Sequence, residues 1–342
     1  MLQRIFVPLD GSERAEQAIP VAADLARPVH GTITLARIIE PLDREKAYEA
    51  GETSLMQRQE AEAYLESLLD RYEQELDGLH LVLEVTPGAV PSSLLALASQ
   101  EQMDLIVMCS RGESRLKRWV LGSVAQATFR HSPLPVLVLH EQGQHRALFQ
   151  QAAPLRILVP CDGSELAEAA LPSLFQLLGN LPANGAHEIH LLQVAPMPTV
   201  AGGLGGEAYI SDAFLEEQEQ QAEQELRTLV QRLEQTKPPT VQCVFKTMVI
   251  TSPDIAGTIL RKAQPSAFGG RGAEYDLIAL ATHGRTGLKR LLLGSVTELI
   301  FGATTLPLLV VRPTPAQFAG TAEKTPEQGQ RSTPEQSWVG LL

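Results

Sequence analysis

Residues 5–20 read IFVPLDGSERAEQAIP, and residues 157–172 read ILVPCDGSELAEAALP. Eleven of the 16 positions are identical, at an offset of 152 residues. Each copy runs from a short apolar stretch through Asp-Gly-Ser into an Ala- and Glu-rich stretch, which predicts a strand, a turn and a helix. The match resumes further on. DLIVM (104–108) returns as DLIAL (276–280), and LKRWVLGSV (116–124) as LKRLLLGSV (288–296), both at an offset of 172. The second copy therefore carries 20 more residues (172 against 152) between the matched blocks. Two Gly- and Pro-rich segments, PMPTVAGGLGG (196–206) and QPSAFGGRGAE (264–274), read as the loops that hold them. Copies of about 140–160 residues are too long for solenoid units, so whole domains are duplicated.

Outward from these blocks, strand and helix patterns alternate. The first copy predicts strands near 4–9, 32–39, 80–86, 104–109 and 135–139, and helices near 13–27, 53–76, 91–101 and 121–130. The second predicts strands near 156–160, 188–194, 240–247, 276–281 and 307–311, with a polar-faced helix within 216–235. The strands are continuous Leu and β-branched runs, which implies cover on both faces and a parallel sheet. The expected fold is α/β: two doubly wound, Rossmann-like domains at 1–140 and 155–312, joined by a polar linker at 141–154. The Pro-, Thr-, Gln- and Gly-rich tail at 313–342 reads as disordered.

Composition narrows the function. The chain has 342 residues, 44% hydrophobic and 20% charged, which is enough for a packed core. Its net charge of −12 repels phosphate backbones and disfavours nucleic acid as a partner. No apolar run approaches the ~20 residues that span a bilayer, so no membrane partner is expected. The first strand begins close to Met1, so no signal peptide is expected and the predicted location is the cytoplasm. The three cysteines, Cys109, Cys161 and Cys243, lie in or at the end of strand-like runs. That sparse, odd set argues against a disulfide framework, and no spacing suggests zinc.

In a doubly wound sheet, ligands sit beyond the carboxyl ends of the strands, where the strand order reverses. Two features fall there. One is Pro8-Leu9-Asp10-Gly11-Ser12, with its repeat Pro160-Cys161-Asp162-Gly163-Ser164. A carboxylate at that point could accept from sugar hydroxyls or help hold a metal, or Asp-Gly-Ser could be a plain turn and cap; Ser12 and Ser164 read as N-caps either way. The other follows the fourth strand: Gly112 and Gly284, nine residues, then Gly122-Ser123 and Gly294-Ser295 opening a helix. A glycine lets backbone amides turn inward, and a helix start offers free N–H groups with the positive end of the dipole. The alternative is a long loop leading to a Ser-capped helix, since the spacing matches neither GxGxxG nor a P-loop.

VPLDGS, DLIALATHGRTGLKRLLLGSV and LPLLVVRP together resemble the universal stress protein family, and the similarity spans both copies in the manner of its tandem-domain members. The resemblance implies five-stranded parallel sheets of order 3-2-1-4-5 and an adenine nucleotide, ATP foremost, held with Mg2+ or Mn2+. The family's Gly-x2-Gly-x9-Gly-(Ser/Thr) pattern is met at its last three positions in each copy. Its first glycine is Ala281 in the second copy and Cys109 in the first. The implied site in the second copy is Pro160, Asp162, Val194, Ala281, His283, Gly284, Arg285, Gly287, Gly294, Ser295 and Val296. In the first copy it is Pro8, Asp10, Ile38, Cys109, Gly112, Gly122, Ser123 and Val124. Backbone recognition of adenine at Val194 and Ile38 would explain why those two side chains interchange. The second copy is the better supported, because the first has Glu113 where the second has Arg285, and a carboxylate there opposes a triphosphate. The family also implies pairing through the last strands, LPVLVLH and LPLLVVRP. An apolar edge needs covering, so the copies are expected to pack pseudo-symmetrically, with a further dimer of tandem chains. The implied role is a stress sensor or regulator without a dedicated catalytic site. A slow ATP hydrolase or self-phosphorylating enzyme, or a nucleotide-free scaffold, are the alternatives.

Overall fold

Apolar runs become ten strands among the residues that the computed structural model describes, which are 1–40, 54–110, 122–140, 149–150, 153–182, 184–197, 212–264, 275–282 and 294–313. The first half runs β1 (Arg4–Leu9), α1 (Glu13–Glu16), α2 (Ala18–Ala26), β2 (Thr32–Ile39), α3 (Ser54–Arg71), α4 (Glu73–Leu76), β3 (His80–Pro87), α5 (Val90–Gln100), β4 (Leu105–Cys109), α6 (Ser123–His131) and β5 (Val136–Leu139). The second half runs β6 (Arg156–Cys161), α7 (Ala170–Leu178), β7 (His187–Pro196), α8 (Asp212–Thr236), β8 (Cys243–Ser252), α9 (Ile255–Ala263), β9 (Leu277–Ala281), α10 (Ser295–Ala303) and β10 (Leu308–Val311). The strands form one ten-stranded sheet of order β3-β2-β1-β4-β5-β10-β9-β6-β7-β8. Within each half all pairings are parallel and the order is 3-2-1-4-5. The tail beyond residue 313 and most of the linker lie outside the described residues.

Helices cover both faces. Alternate side chains of β1 go to opposite sides: Ile5, Val7 and Leu9 join one core with α2, α3, α7 and α8, while Phe6 joins the other with α5, α6, α9 and α10. Seven strands bury most of their residues, six of them largely apolar, while β7 also buries His187, His190 and Gln193. The outer strands differ from the expectation of cover on both faces: β3 and β8 are half-exposed, with Val82 and Val244 open to solvent. Each lies at an end of the sheet, with no strand beyond it among the described residues. Strand β8 also runs past residue 247 to Ser252, because β7 pairs with it along all ten residues, from His187↔Cys243 to Pro196↔Ser252.

The single helix expected over 13–27 is broken between Glu16 and Ala18. Pro20 explains the break: it has no N–H for the Glu16 carbonyl, and its ring crowds that oxygen. Pro172 has the same place in α7, which a 3-10 turn (Ala167–Ala169) precedes. The linker is also less purely polar than it reads, because Phe149 is buried in the first core.

The two halves join where β5 and β10 pair antiparallel, Leu308↔Val138, Leu309↔Leu137 and Val310↔Val136. Leu137 and Leu309 are equivalent positions, 172 residues apart, so the join has the self-complementary form of a two-fold interface. The same relation holds for Phe129 and Phe301, with ring centroids 4.6 Å apart, and for Gln126, whose Nε2 donates to Glu298 Oε1 at 3.2 Å. One clamp on the other face breaks the symmetry. Asn180, fully buried, donates through Nδ2 to the carbonyls of Leu2 (2.6 Å) and Leu25 (3.0 Å) and accepts from the Leu2 N–H (3.0 Å).

These contacts predict two stability losses, both measurable by urea unfolding. Phe301→Ala is expected to cost about 3–5 kcal/mol, the range for a buried Phe. Asn180→Ala, which strands a buried N–H and two carbonyls, is expected to cost on the order of 1–3 kcal/mol. A variant as stable as wild type would show that the corresponding contact does not hold the halves together.

Candidate functional site

Strand β1 keeps its pairing with β2 to its end, Leu9↔Arg37, but pairs with β4 only at Ile5↔Leu105 and Phe6↔Ile106. Beyond Phe6 comes Pro8, which has no N–H to continue a ladder. The second half repeats this, with β6 meeting β9 at Ile157↔Leu277 and Leu158↔Ile278 ahead of Pro160. A crevice therefore opens at the carboxyl ends of the strands, at the reversal of strand order, in each half.

Both crevices are cavities. The first-half cavity has a volume of about 720 Å3 and the second-half cavity about 390 Å3. Both lie within the rough 300–1,000 Å3 range of small-molecule sites. The first brings together Pro8, Asp10, Ile38, Cys109, Gly122, Ser123 and Val124. The second brings together Pro160, Asp162, Val194, Ala281, Gly294, Ser295 and Val296. Gly112, His283, Gly284, Arg285 and Gly287 lie outside the described residues, as do Glu113 and the glycine-rich 202–206.

The Asp-Gly-Ser turn adopts the same geometry twice. Asp10 Oδ1 accepts from Ser12 N (3.0 Å) and Ser12 Oγ (2.6 Å), and Asp162 Oδ1 accepts from Ser164 N (3.0 Å) and Oγ (2.6 Å). Ser12 Oγ accepts in turn from Ala15 N, and Ser164 Oγ from Ala167 N, both at 3.2 Å. The turn reading thus holds in both halves, but only Ser12 is a helix N-cap; in the second half Leu166 holds that place before the 3-10 turn, and in both halves the carboxylate still lines the cavity. Gly11 at φ 86° and Gly163 at φ 78° supply the left-handed step that the turn requires.

The Gly-Ser pairs behave differently from Ser-capped helices. Gly122 and Gly294 are themselves the N-caps of α6 and α10, without a capping side chain, and Ser123 and Ser295 are the first helical residues. Gly122 N donates to the Ser110 carbonyl (3.2 Å) and Gly294 N to the Thr282 carbonyl (2.9 Å), which ties each helix start to the strand end beside it. A Cβ at Gly294 would stand 2.9 Å from the Thr282 carbonyl oxygen, so a side chain there forces the backbone to move. A helix start capped by glycine keeps its first-turn N–H groups directed at the cavity, which suits an anion.

The wall opposite contains residues outside the quoted motifs. Helix α3 supplies Gln57, Glu60, Ala61 and Tyr64 to the first cavity, and α8 supplies Gln218, Gln221, Ala222 and Glu225 to the second. These positions correspond at an offset of 161, and aligning QRQEAEAYLESLLDR (57–71) with QEQQAEQELRTLVQR (218–232) would have found them. At the ends of β2 and β7 the matching residues are Arg37 and Gln193. Behind the first wall, buried Glu16 accepts from Tyr64 Oη (3.1 Å), Arg71 Nη1 (2.7 Å) and Tyr72 Oη (3.3 Å). Burial, then the Glu16 charge, pushes the Tyr72 hydroxyl up to about 12 and raises Tyr64 as well, so both remain protonated donors. In the second half Glu168 pairs with Arg232, at the positions equivalent to Glu16 and Arg71.

No disulfide joins Cys109, Cys161 or Cys243. Burial raises the Cys161 thiol far above its ordinary range, which leaves it inert as a nucleophile. Among the described residues no group of three His, Cys, Asp or Glu side chains could hold a metal ion. A divalent ion carried largely by a ligand's own phosphates and waters needs no such cluster. No helix among the described residues is long and apolar enough to cross a membrane.

Comparison with known proteins agrees with this geometry. The model of the universal stress protein family matches residues 1–140 and 271–312. A universal stress protein of Mycolicibacterium smegmatis is 26% identical over 321 residues, covering 90% of this chain and 97% of that protein. The stress response protein NhaX of Bacillus subtilis is 29% identical over 163 residues, 40% of this chain and 96% of its own. Among solved structures, a protein of unknown function from Pseudomonas aeruginosa PAO1 superposes with a TM-score of 0.61 at 16% identity, covering 93% of this chain and 95% of that one. A universal stress protein from Archaeoglobus fulgidus does so with a TM-score of 0.57 at 18% identity, covering 92% and 97%. These two share the fold. With a duplicated crevice fold and a family match over both ends of the chain, the protein belongs to the universal stress protein family, as a tandem of two such folds.

Proposed function

We propose that this chain binds an adenine nucleotide, ATP foremost, in the crevices at the carboxyl ends of its strands, and acts in the cytoplasm as a stress sensor or regulator. The observation that carries the reading is the pair of glycine-capped helix starts, Gly122 and Gly294, facing carboxylates Asp10 and Asp162 across one cavity each. The helix starts suit phosphate oxygens, and the carboxylates suit the hydroxyls of a sugar. Mg2+ or Mn2+ would arrive with the triphosphate, supplying charge neutralisation while the phosphates and waters fill most of its shell. Gly284 and Gly287, ahead of Gly294 in the sequence, would add backbone amides to the second site, and His283 and Arg285 would add side-chain donors. The domains would divide as 1–140 and 155–312, with the last strands holding them together.

Binding rather than turnover is the favoured chemistry. A general base needs a partner to orient it and a nucleophile within reach. The only cysteine thiol in the second crevice, Cys161, is held protonated by burial.

A thermal scan tests the reading. At 100 times its dissociation constant a bound ligand stabilises by about 2.7 kcal/mol, so saturating Mg-ATP is expected to raise Tm by several degrees. Gly294→Val combined with Gly122→Val should abolish that shift while the unliganded protein still melts cooperatively. No shift in wild type with ATP, ADP, AMP or cyclic AMP would overturn the proposal. A second measurement concerns turnover: phosphate release from Mg-ATP is expected to stay at the protein-free rate. Release above that rate and lost in Asp162→Ala would instead favour a slow hydrolase.

A further inference from the structure

Two buried polar atoms belong to equivalent strand positions of the two halves and have opposite hydrogen-bonding sense. Arg37 lies beside Leu9 at the end of β2, and Gln193 lies beside Cys161 at the end of β7. Among the described residues neither Arg37 Nη1 nor Gln193 Oε1, both buried, has a hydrogen-bond partner. A guanidinium nitrogen can only donate and an amide oxygen can only accept. Both residues line the crevices described above.

The surroundings hold each group in its sense. The Arg37 guanidinium sits over the Tyr64 ring, 5.5 Å from its centroid, and the Tyr64 hydroxyl is committed to Glu16. The guanidinium also lies against Gly11, where a Cβ would meet Nη1. Gln193 Nε2 donates to Glu225 Oε2 at 2.9 Å, and Glu225 Oε1 accepts from Gln221 Nε2 at 3.0 Å. Turning the Gln193 amide over would set its oxygen against the Glu225 carboxylate, so Oε1 is the atom left over. Gln193 is only 6% exposed. A buried polar group without a partner is unfavourable, and such groups are usually met by a ligand or an ordered water. The first crevice also carries Glu40 and Glu60, but both are exposed at its rim, where water screens them.

We infer that position 37 of the first half and position 193 of the second make the two crevices non-equivalent: the first takes a ligand with an anionic or acceptor oxygen at this wall, and the second takes one with a donor, a hydroxyl or an amine. The inference rests on the adenine-nucleotide reading. On a nucleotide the donors are the ribose hydroxyls and the exocyclic amine of the base, and the anionic oxygens are those of phosphate. The exchange of Tyr64 for Glu225 works in the same direction, because an added carboxylate favours donors and opposes anions.

Isothermal titration of the full chain with ATP, 2′-deoxy-ATP, 3′-deoxy-ATP and inosine triphosphate tests this. Two classes of site are expected, with ATP affinities at least tenfold apart. In the class lost in Gly294→Val, at least one analogue lacking a donor should bind about tenfold more weakly than ATP. Gln193→Leu should erase that discrimination and leave the other class unchanged. Arg37→Gln should weaken ATP about tenfold in the other class alone. Circular dichroism and cooperative melting confirm that each variant is folded. Two identical sites, or discrimination that survives Gln193→Leu together with ATP affinity that survives Arg37→Gln, would overturn the inference and leave nucleotide binding standing. Absence of any nucleotide binding by wild type would remove both.

Discussion

The antiparallel pairing of β5 with β10 sets the rest of the architecture. A five-stranded parallel sheet ends in an apolar edge, and here two such edges cover each other at Leu309↔Leu137 and its neighbours. Because the strands meet antiparallel, those of the two halves run in opposite directions, and the crevices at their carboxyl ends open at opposite margins of the sheet. Helices α6 and α10 link the two features. Each begins at a glycine in a crevice and carries, two turns on, a phenylalanine that meets its counterpart across the join. Side-chain contacts across the join and residues that line the crevices thus lie on the same two helices.

Much of this was legible from residue pattern. The duplicated Asp-Gly-Ser and Gly-Ser blocks place the strand and helix ends that form each crevice, since turn chemistry is local. Strand limits followed from the continuous apolar runs wherever both faces are covered. The pattern was less informative where the chain meets solvent, as on β3 and β8, and where a single residue acts against its neighbours, as Pro20 does in splitting α1 from α2. Asn180 left no trace in the repeat. Its counterpart at an offset of 152 is Pro28, so the clamp belongs to one half only. Arg37 and Tyr64 escaped notice for a related reason: they lie on the cavity wall but outside both repeated motifs.

The repeated motifs and the diverged wall describe different properties of one site. Turn, cap and glycine recur in both halves with nearly identical hydrogen-bond lengths, which fits a common requirement on backbone geometry. Across the cavity the side chains change in charge and in hydrogen-bonding sense, from arginine and tyrosine to glutamine and glutamate. Duplication followed by divergence in this manner preserves the crevice and alters its occupant's preferred chemistry. The loop comparison at 113 and 285 favours the second half for a polyanion, whereas the wall at 37 and 193 favours the first.

The central claim is that the crevices at the strand ends hold an adenine nucleotide. A crystal structure of the full chain grown with saturating Mg-ATP tests it most directly. The account requires electron density for a nucleotide between Asp162 and the start of α10, between Asp10 and the start of α6, or in both places. Empty crevices at saturating ATP, or a nucleotide bound elsewhere on the molecule, would contradict it.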